Sequence, residues 1–224
     1  MPAWDDAQYL KFADARTRPA AELLARVPVD EPAHVVDLGC GPGNSTALLL
    51  QRFPRAEIIG VDNSETMLTR ARATLPTLRF VLSDVRNFRP EKPVDVLFAN
   101  AVLQWVPEHA QVMPALFGSL AAGGCLAFQM PDNWNEPSHR LMRELIVPYL
   151  PDATAVQSRI AIEPAAFYYD VLAPRARCVD IWQTRYEHVM PDAAAIVEWG
   201  QRHRFAPVPR SAYSGAAREL RARL

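Results

Sequence analysis

The chain has 224 residues, half of them hydrophobic, and a formal net charge of −1, enough to bury one sizeable core without disulfides or metal. So balanced a charge argues against nucleic acid or a membrane surface as partner, and three cysteines without paired spacing fit neither a disulfide scaffold nor a zinc site. No apolar run suits a signal peptide or a bilayer span, so a cytoplasmic protein with reduced thiols is expected.

His34 to Leu38 read as a short buried strand that runs into the turn Gly39-Cys40-Gly41-Pro42-Gly43. The glycines let the backbone turn tightly and let a ligand approach the main chain. Asn44 and Ser45 are expected to cap a helix from Thr46 to Arg52, which aims its N–H groups at whatever sits on the turn. A Gly-x-Gly-x-Gly turn serves dinucleotide enzymes and methyltransferases alike. Asp37, inside the motif and ahead of the first glycine, suits the cationic amino end of S-adenosylmethionine better than a pyrophosphate. A nicotinamide-dependent oxidoreductase is the alternative that Asp37 argues against.

Ile58 to Asp62 form a second strand closing on an acid, roughly 20 residues past the turn, where a ribose diol is held. Phe80 to Asp84 form a third, with Asp84 placed to accept from an adenine amino group. Val94 to Asn100 and Cys125 to Met130 are the fourth and fifth strands. Helices are expected at Ser64 to Leu75 and at His109 to Leu120, the latter ended by Gly123-Gly124. Further helices are read near His139 to Ile146 and Ala165 to Leu172, with a sixth strand across Val179 to His188. Alternating strands and helices predict an α/β fold: a doubly wound, Rossmann-like, three-layer αβα sheet.

Several segments, taken together, are specific. They are Trp4, Tyr9-Leu10, Phe12 and Arg16-Thr17-Arg18-Pro19; Val36 through Thr46; Phe98-Ala99-Asn100-Ala101 with Leu103-Gln104-Trp105; Gln129 through Trp134; and Tyr168-Tyr169-Asp170. This pattern resembles the trans-aconitate 2-methyltransferases, class I S-adenosylmethionine-dependent enzymes that convert a carboxylate to its methyl ester. The resemblance runs from about residue 3 to about residue 199. It implies an N-terminal helical cap over 1–30, a methyltransferase domain over 31–199 and an aberrant tail over 200–224. It further implies donor contacts at Asp37, Gly39, Gly41, Gly43, Asp62, Asn63, Met67, Asp84, Val85 and Asn100. Arg16, Arg18, Trp105, Asn133 and Tyr169 are the expected acceptor contacts, with no metal and no catalytic base. The expected partner is a small carboxylic acid, and the chain is expected to act as a monomer.

Methylation of another small acid or of a malonyl thioester is the alternative within the same chemistry; a donor-binding but inactive product is the alternative outside it. That second alternative comes from the tail. The family continues with a final antiparallel strand, and no apolar run after Gly200 can supply it. A reading frame displaced by one nucleotide can give a family-like continuation for 200–224, so a frameshifted ending is expected, with poor solubility and little activity.

Overall fold

The computed structural model describes residues 17–146, 162–189 and 192. Arg16 and the rest of the N-terminal segment, Pro148, Pro151 and the whole of 200–224 lie outside the described residues. Residues 17–130 and 164–181 belong to one compact unit, and the remaining described residues to a second.

The first unit is a parallel sheet of β1 (His34–Leu38), β2 (Glu57–Asp62), β3 (Arg79–Leu82), β4 (Val94–Asn100) and β5 (Leu120–Gln129). The strand order is β3-β2-β1-β4-β5, the doubly wound arrangement expected of the sequence. Val35, Val36, Leu38, Val61, Leu97 and Phe98 are almost wholly buried. That follows from a parallel sheet covered on both faces, whose strands are apolar throughout rather than alternating. α1 (Arg18–Ala25), α2 (Asn44–Arg52), α3 (Glu65–Thr74), α4 (His109–Phe117) and α6 (Ala165–Leu172) surround it.

Long-range polar contacts fix the register. Asp95 Oδ2 accepts the N–H groups of Ala33 (2.8 Å) and His34 (2.9 Å), joining the start of β4 to the start of β1. Arg52, the last residue of α2, donates to the carbonyls of Leu24 and Val27 and so satisfies the C-terminal end of α1.

Three expectations need correction. The N-cap of α2 is Gly43, at φ +95°, and Asn44 is already helical. The expected helix from His109 to Leu120 stops at Phe117: Gly118 is the C-cap, and Ser119 N–H closes on the Leu116 carbonyl in a tighter final turn. Ladder pairing then claims Leu120 to Gly124 for β5, where Leu120 faces Val94 across a bulge. The sixth strand at Val179 to His188 does not form: these residues carry no strand pairing. A strand exists only as half of a hydrogen-bonded pair, and among the described residues β5 pairs only with β4.

In the second unit, α5 (Pro137–Ile146) carries Arg143, whose guanidinium lies 4.0 Å over the Trp134 ring and donates to the Trp134 carbonyl. No helix among the described residues is long and apolar enough to cross a membrane.

Candidate active site

Because every strand is parallel, the carboxyl ends of all five lie along one edge, the position where such sheets bind ligands. Leu38, Asp62, Leu82, Asn100 and Gln129 end the strands there. A cavity of about 170 Å³ opens at the tip of β1, lined by Thr17 and Ala20 at the start of α1, by the turn Gly39 to Pro42, and by Asn44, Ser45 and Asn100. Small-molecule sites hold roughly 300–1,000 Å³, so a nucleoside-sized ligand would extend from this cavity along the strand ends.

The turn is fixed from below. The N–H groups of Gly39 and Cys40 donate to the Val61 carbonyl (2.7 and 3.0 Å). A Cβ on Gly39 would stand 2.3 Å from Val102 Cγ2, and its φ is +68°, so no other residue fits. Gly41 has φ +54° with nothing within 4 Å of the Cβ direction: here the backbone faces open space rather than protein.

Asp62 joins the turn to β2. Its Oδ2 accepts from Gly41 N–H (2.9 Å) and its Oδ1 from Ser64 N–H (2.9 Å). A carboxylate offers about four lone-pair sites, so two remain for hydroxyl donors. Asn63 beside it is exposed, and Met67, in the first turn of α3, is 37% exposed. Gly43 faces Leu75 and Ala71 across the base of the turn.

Asp37 is wholly buried and does not line the cavity. Its Oδ2 accepts from Ser45 Oγ (2.8 Å) and Thr46 Oγ1 (2.6 Å), which ties the first turn of α2 to β1. Its Oδ1 has no partner among the described residues. Burial raises its carboxyl to about 7, against the lowering effect of the two hydroxyls, and the Asp62 charge adds to the rise. The same burial pushes the Cys40 thiol upward.

At the end of β4, Asn100 lines the cavity with its Oδ1 buried and without a partner among the described residues. Ala101 follows at φ +54°, a strained value for a residue with a Cβ, and Gln104 Nε2 donates to its carbonyl (2.7 Å). Trp105, in the single 3₁₀ turn Leu103–Trp105, is 44% exposed and lies outside the cavity lining.

Asp84 follows β3 and is gripped by Arg86; its carboxyl falls to about 2, chiefly through the Arg86 side chain and then the Arg86 N–H. Val85 is buried beside it. Of the expected acceptor contacts, neither Arg18 nor Tyr169 lines this cavity. Arg18 Nε meets Glu22 Oε1 at 2.7 Å, and Tyr169 is 54% exposed on α6. Asn133 belongs to the second unit.

Sequence reasoning passed over Thr17 and Ala20 in the lining, Thr46 under Asp37, Gln104 under Ala101 and Arg86 on Asp84. An arginine two residues after a strand-terminal acid was the one signal available.

The arrangement suits S-adenosylmethionine. An open glycine backbone, a second-strand carboxylate with two lone pairs left, and the buried Asn100 Oδ1 at the cavity, without a partner among the described residues, together suit a ligand with hydroxyl and cationic donors. Comparison with known proteins agrees. A family model described as a methyltransferase domain matches residues 35–124. The chain is 57% identical over 199 residues to the trans-aconitate 2-methyltransferase of Azoarcus sp. strain BH72, covering 89% of this chain and 79% of that one. It is 57% identical over 205 residues to the enzyme of the same name from Methylobacterium radiotolerans, with 89% and 78% covered. Among solved structures, a putative methyltransferase of Haloferax volcanii, solved in complex with the Trm112 activator, aligns with a TM-score of 0.57. It is 21% identical, over 75% of this chain and 72% of that one. The plantazolicin methyltransferase BpumL aligns with a TM-score of 0.51 at 17% identity, over 75% and 66% of the two chains. These two likenesses establish the fold.

Proposed function

The chain belongs to the trans-aconitate 2-methyltransferase family, and from that membership we propose that it methylates a carboxylate of trans-aconitate. The products are the monomethyl ester and S-adenosylhomocysteine. The observation that carries this reading is 57% identity over 199 residues to enzymes of that name. The oxidoreductase alternative falls with the family.

When bound, the donor supplies a methyl group on a positively charged sulfonium. The chain's own residues then have a limited task. A carboxylate is ionised at neutral pH, with an ordinary pKa of about 4, so no side chain has to remove a proton. What remains is placement, with the attacking oxygen held in line at about 3 Å. The open backbone at Gly41 and the remaining lone pairs of Asp62 support donor placement from one side of the turn, and Asn100 supports it from the other. Asp37 acts from beneath, holding Ser45 and Thr46 so that the first turn of α2 faces the ligand. Asp84 and Val85 offer an acceptor and a donor to the adenine edge. Arg16 and Arg18 supply cations for a tricarboxylate, since a guanidinium fork matches a carboxylate in two bonds. Trp105, Asn133 and Tyr169 complete the proposed acceptor contacts.

The test is product identification. Purified protein is incubated with methyl-labelled donor and a panel of dicarboxylic and tricarboxylic acids, with a malonyl thioester included. The trans-aconitate monomethyl ester is expected as the fastest-formed product. Faster labelling of another acid or of the thioester would reassign the acceptor.

A further inference from the structure

Among the described residues the Asp84 carboxylate is held by a single neighbour, Arg86. Its Oδ1 accepts from the Arg86 backbone N–H (2.8 Å) and from Arg86 Nε (2.9 Å), while its Oδ2 accepts from Arg86 Nη2 (2.7 Å). A guanidinium fork meeting a carboxylate along its edge fixes the plane of the carboxyl as well as its position. The surrounding loop is equally constrained. Ser83 N–H donates to the Asp62 carbonyl (3.0 Å), and the N–H groups of Asn87 and Phe88 both donate to the Asp84 carbonyl (3.0 and 2.9 Å). Arg89 Nη1 closes the loop on the carbonyls of Arg86 and Phe88.

Of the roughly four lone-pair sites on the carboxylate, three are taken and one on Oδ2 remains. Among the described residues the next N–H, that of Val85, has no acceptor. An immobilised acceptor is thus followed by a backbone donor with no acceptor among the described residues. Adenine presents the complement on one edge: its 6-amino group donates and its N1 accepts.

We propose that Arg86 is a positioning residue for the donor's adenine, locking the Asp84 carboxylate so that the lone pair left on Oδ2 takes the 6-amino group while Val85 N–H meets N1. The proposal rests on the donor reading given above. Arg86 has no need to leave when the base arrives, because its fork spares the acceptor site the base uses. Its side chain is half exposed, so truncating it removes the fork without opening the core.

The test compares two ligands, S-adenosylhomocysteine and its analogue lacking only the 6-amino group, by calorimetry on the full chain. Wild type is expected to prefer the amino-bearing ligand by about tenfold or more, the scale of a charged hydrogen bond. In Arg86→Ala that preference should fall to about threefold or less, through weaker binding of the amino-bearing ligand alone. Arg86→Lys, which keeps the charge without the fork, should behave like Arg86→Ala, and melting curves should show all three proteins folded. An undiminished preference in Arg86→Ala would overturn the role of Arg86, as would equal weakening of both ligands. So would tighter binding of the amino-bearing ligand, which would mean that Arg86 obstructs the base. No preference in wild type would instead overturn the Asp84 reading itself, and the proposal with it.

Discussion

His109 Nδ1 lies 2.7 Å from the hydroxyl of Tyr168, and both residues are buried. The other ring nitrogen, Nε2, is 2.9 Å from the Leu103 carbonyl, which can only accept. Nε2 therefore carries a proton and donates to that carbonyl. The contact ties α4 to α6 across 59 residues of sequence.

Tyr168→Phe keeps the ring that packs on Phe128 and Phe167 and removes only the hydroxyl. Leaving a buried donor or acceptor unsatisfied costs about 1–3 kcal/mol. Urea unfolding should show that loss; an unchanged midpoint would mean that the bond adds nothing to stability.

Asp62→Ala removes the acceptor of the Gly41 and Ser64 N–H groups together with the proposed ribose contact. Calorimetry with S-adenosylhomocysteine should show binding weakened by more than about tenfold. Unaltered affinity in a folded variant would exclude Asp62 from the donor site.

Asp37 gives stability a pH dependence. In the native protein it keeps its proton up to about pH 7, against 3.8 for an ordinary aspartate. Between those values the folded state binds the extra proton, so stability falls as pH rises through the window and levels above it. Asp37→Asn removes that proton, so its urea midpoint should lack this descent. Parallel curves for the two proteins across the window would show that Asp37 ionises normally.

Arg18→Lys should raise the acceptor KM several-fold while leaving the donor Kd unchanged, because an ammonium cannot reproduce the planar fork. Unchanged kinetics would confine Arg18 to its pairing with Glu22 on α1.

Much of the sheet and the glycine turn was legible because their signals are local. Strands ending in Leu38, Asp62 and Asn100, the glycine turn after the first of them and the helix from Ala165 to Leu172 are each readable within a dozen residues. What escaped depends on partners distant in sequence. The extent of β5 was set by its pairing with β4, which drew in Leu120 to Gly124 against their glycine-rich composition. The expected strand at Val179 to His188 has the alternation of a strand and none of the pairing. The roles of Thr17, Gln104 and Arg86 rest on hydrogen bonds and cavity lining that no periodicity encodes.

The central place of β1 also bears on the order of assembly. β2 and β3 add to one side of it through successive neighbours in the chain, whereas β4 reaches the other side only after a closure of 61 to 62 residues. Loop-closure entropy grows slowly with length, but distant pairings are the slow ones to form. The first half of the sheet therefore offers a finished edge for the second half to dock on. At that seam the Asp95 carboxylate works as a buckle: it catches the two N–H groups at the entrance to β1 only when β4 arrives in register.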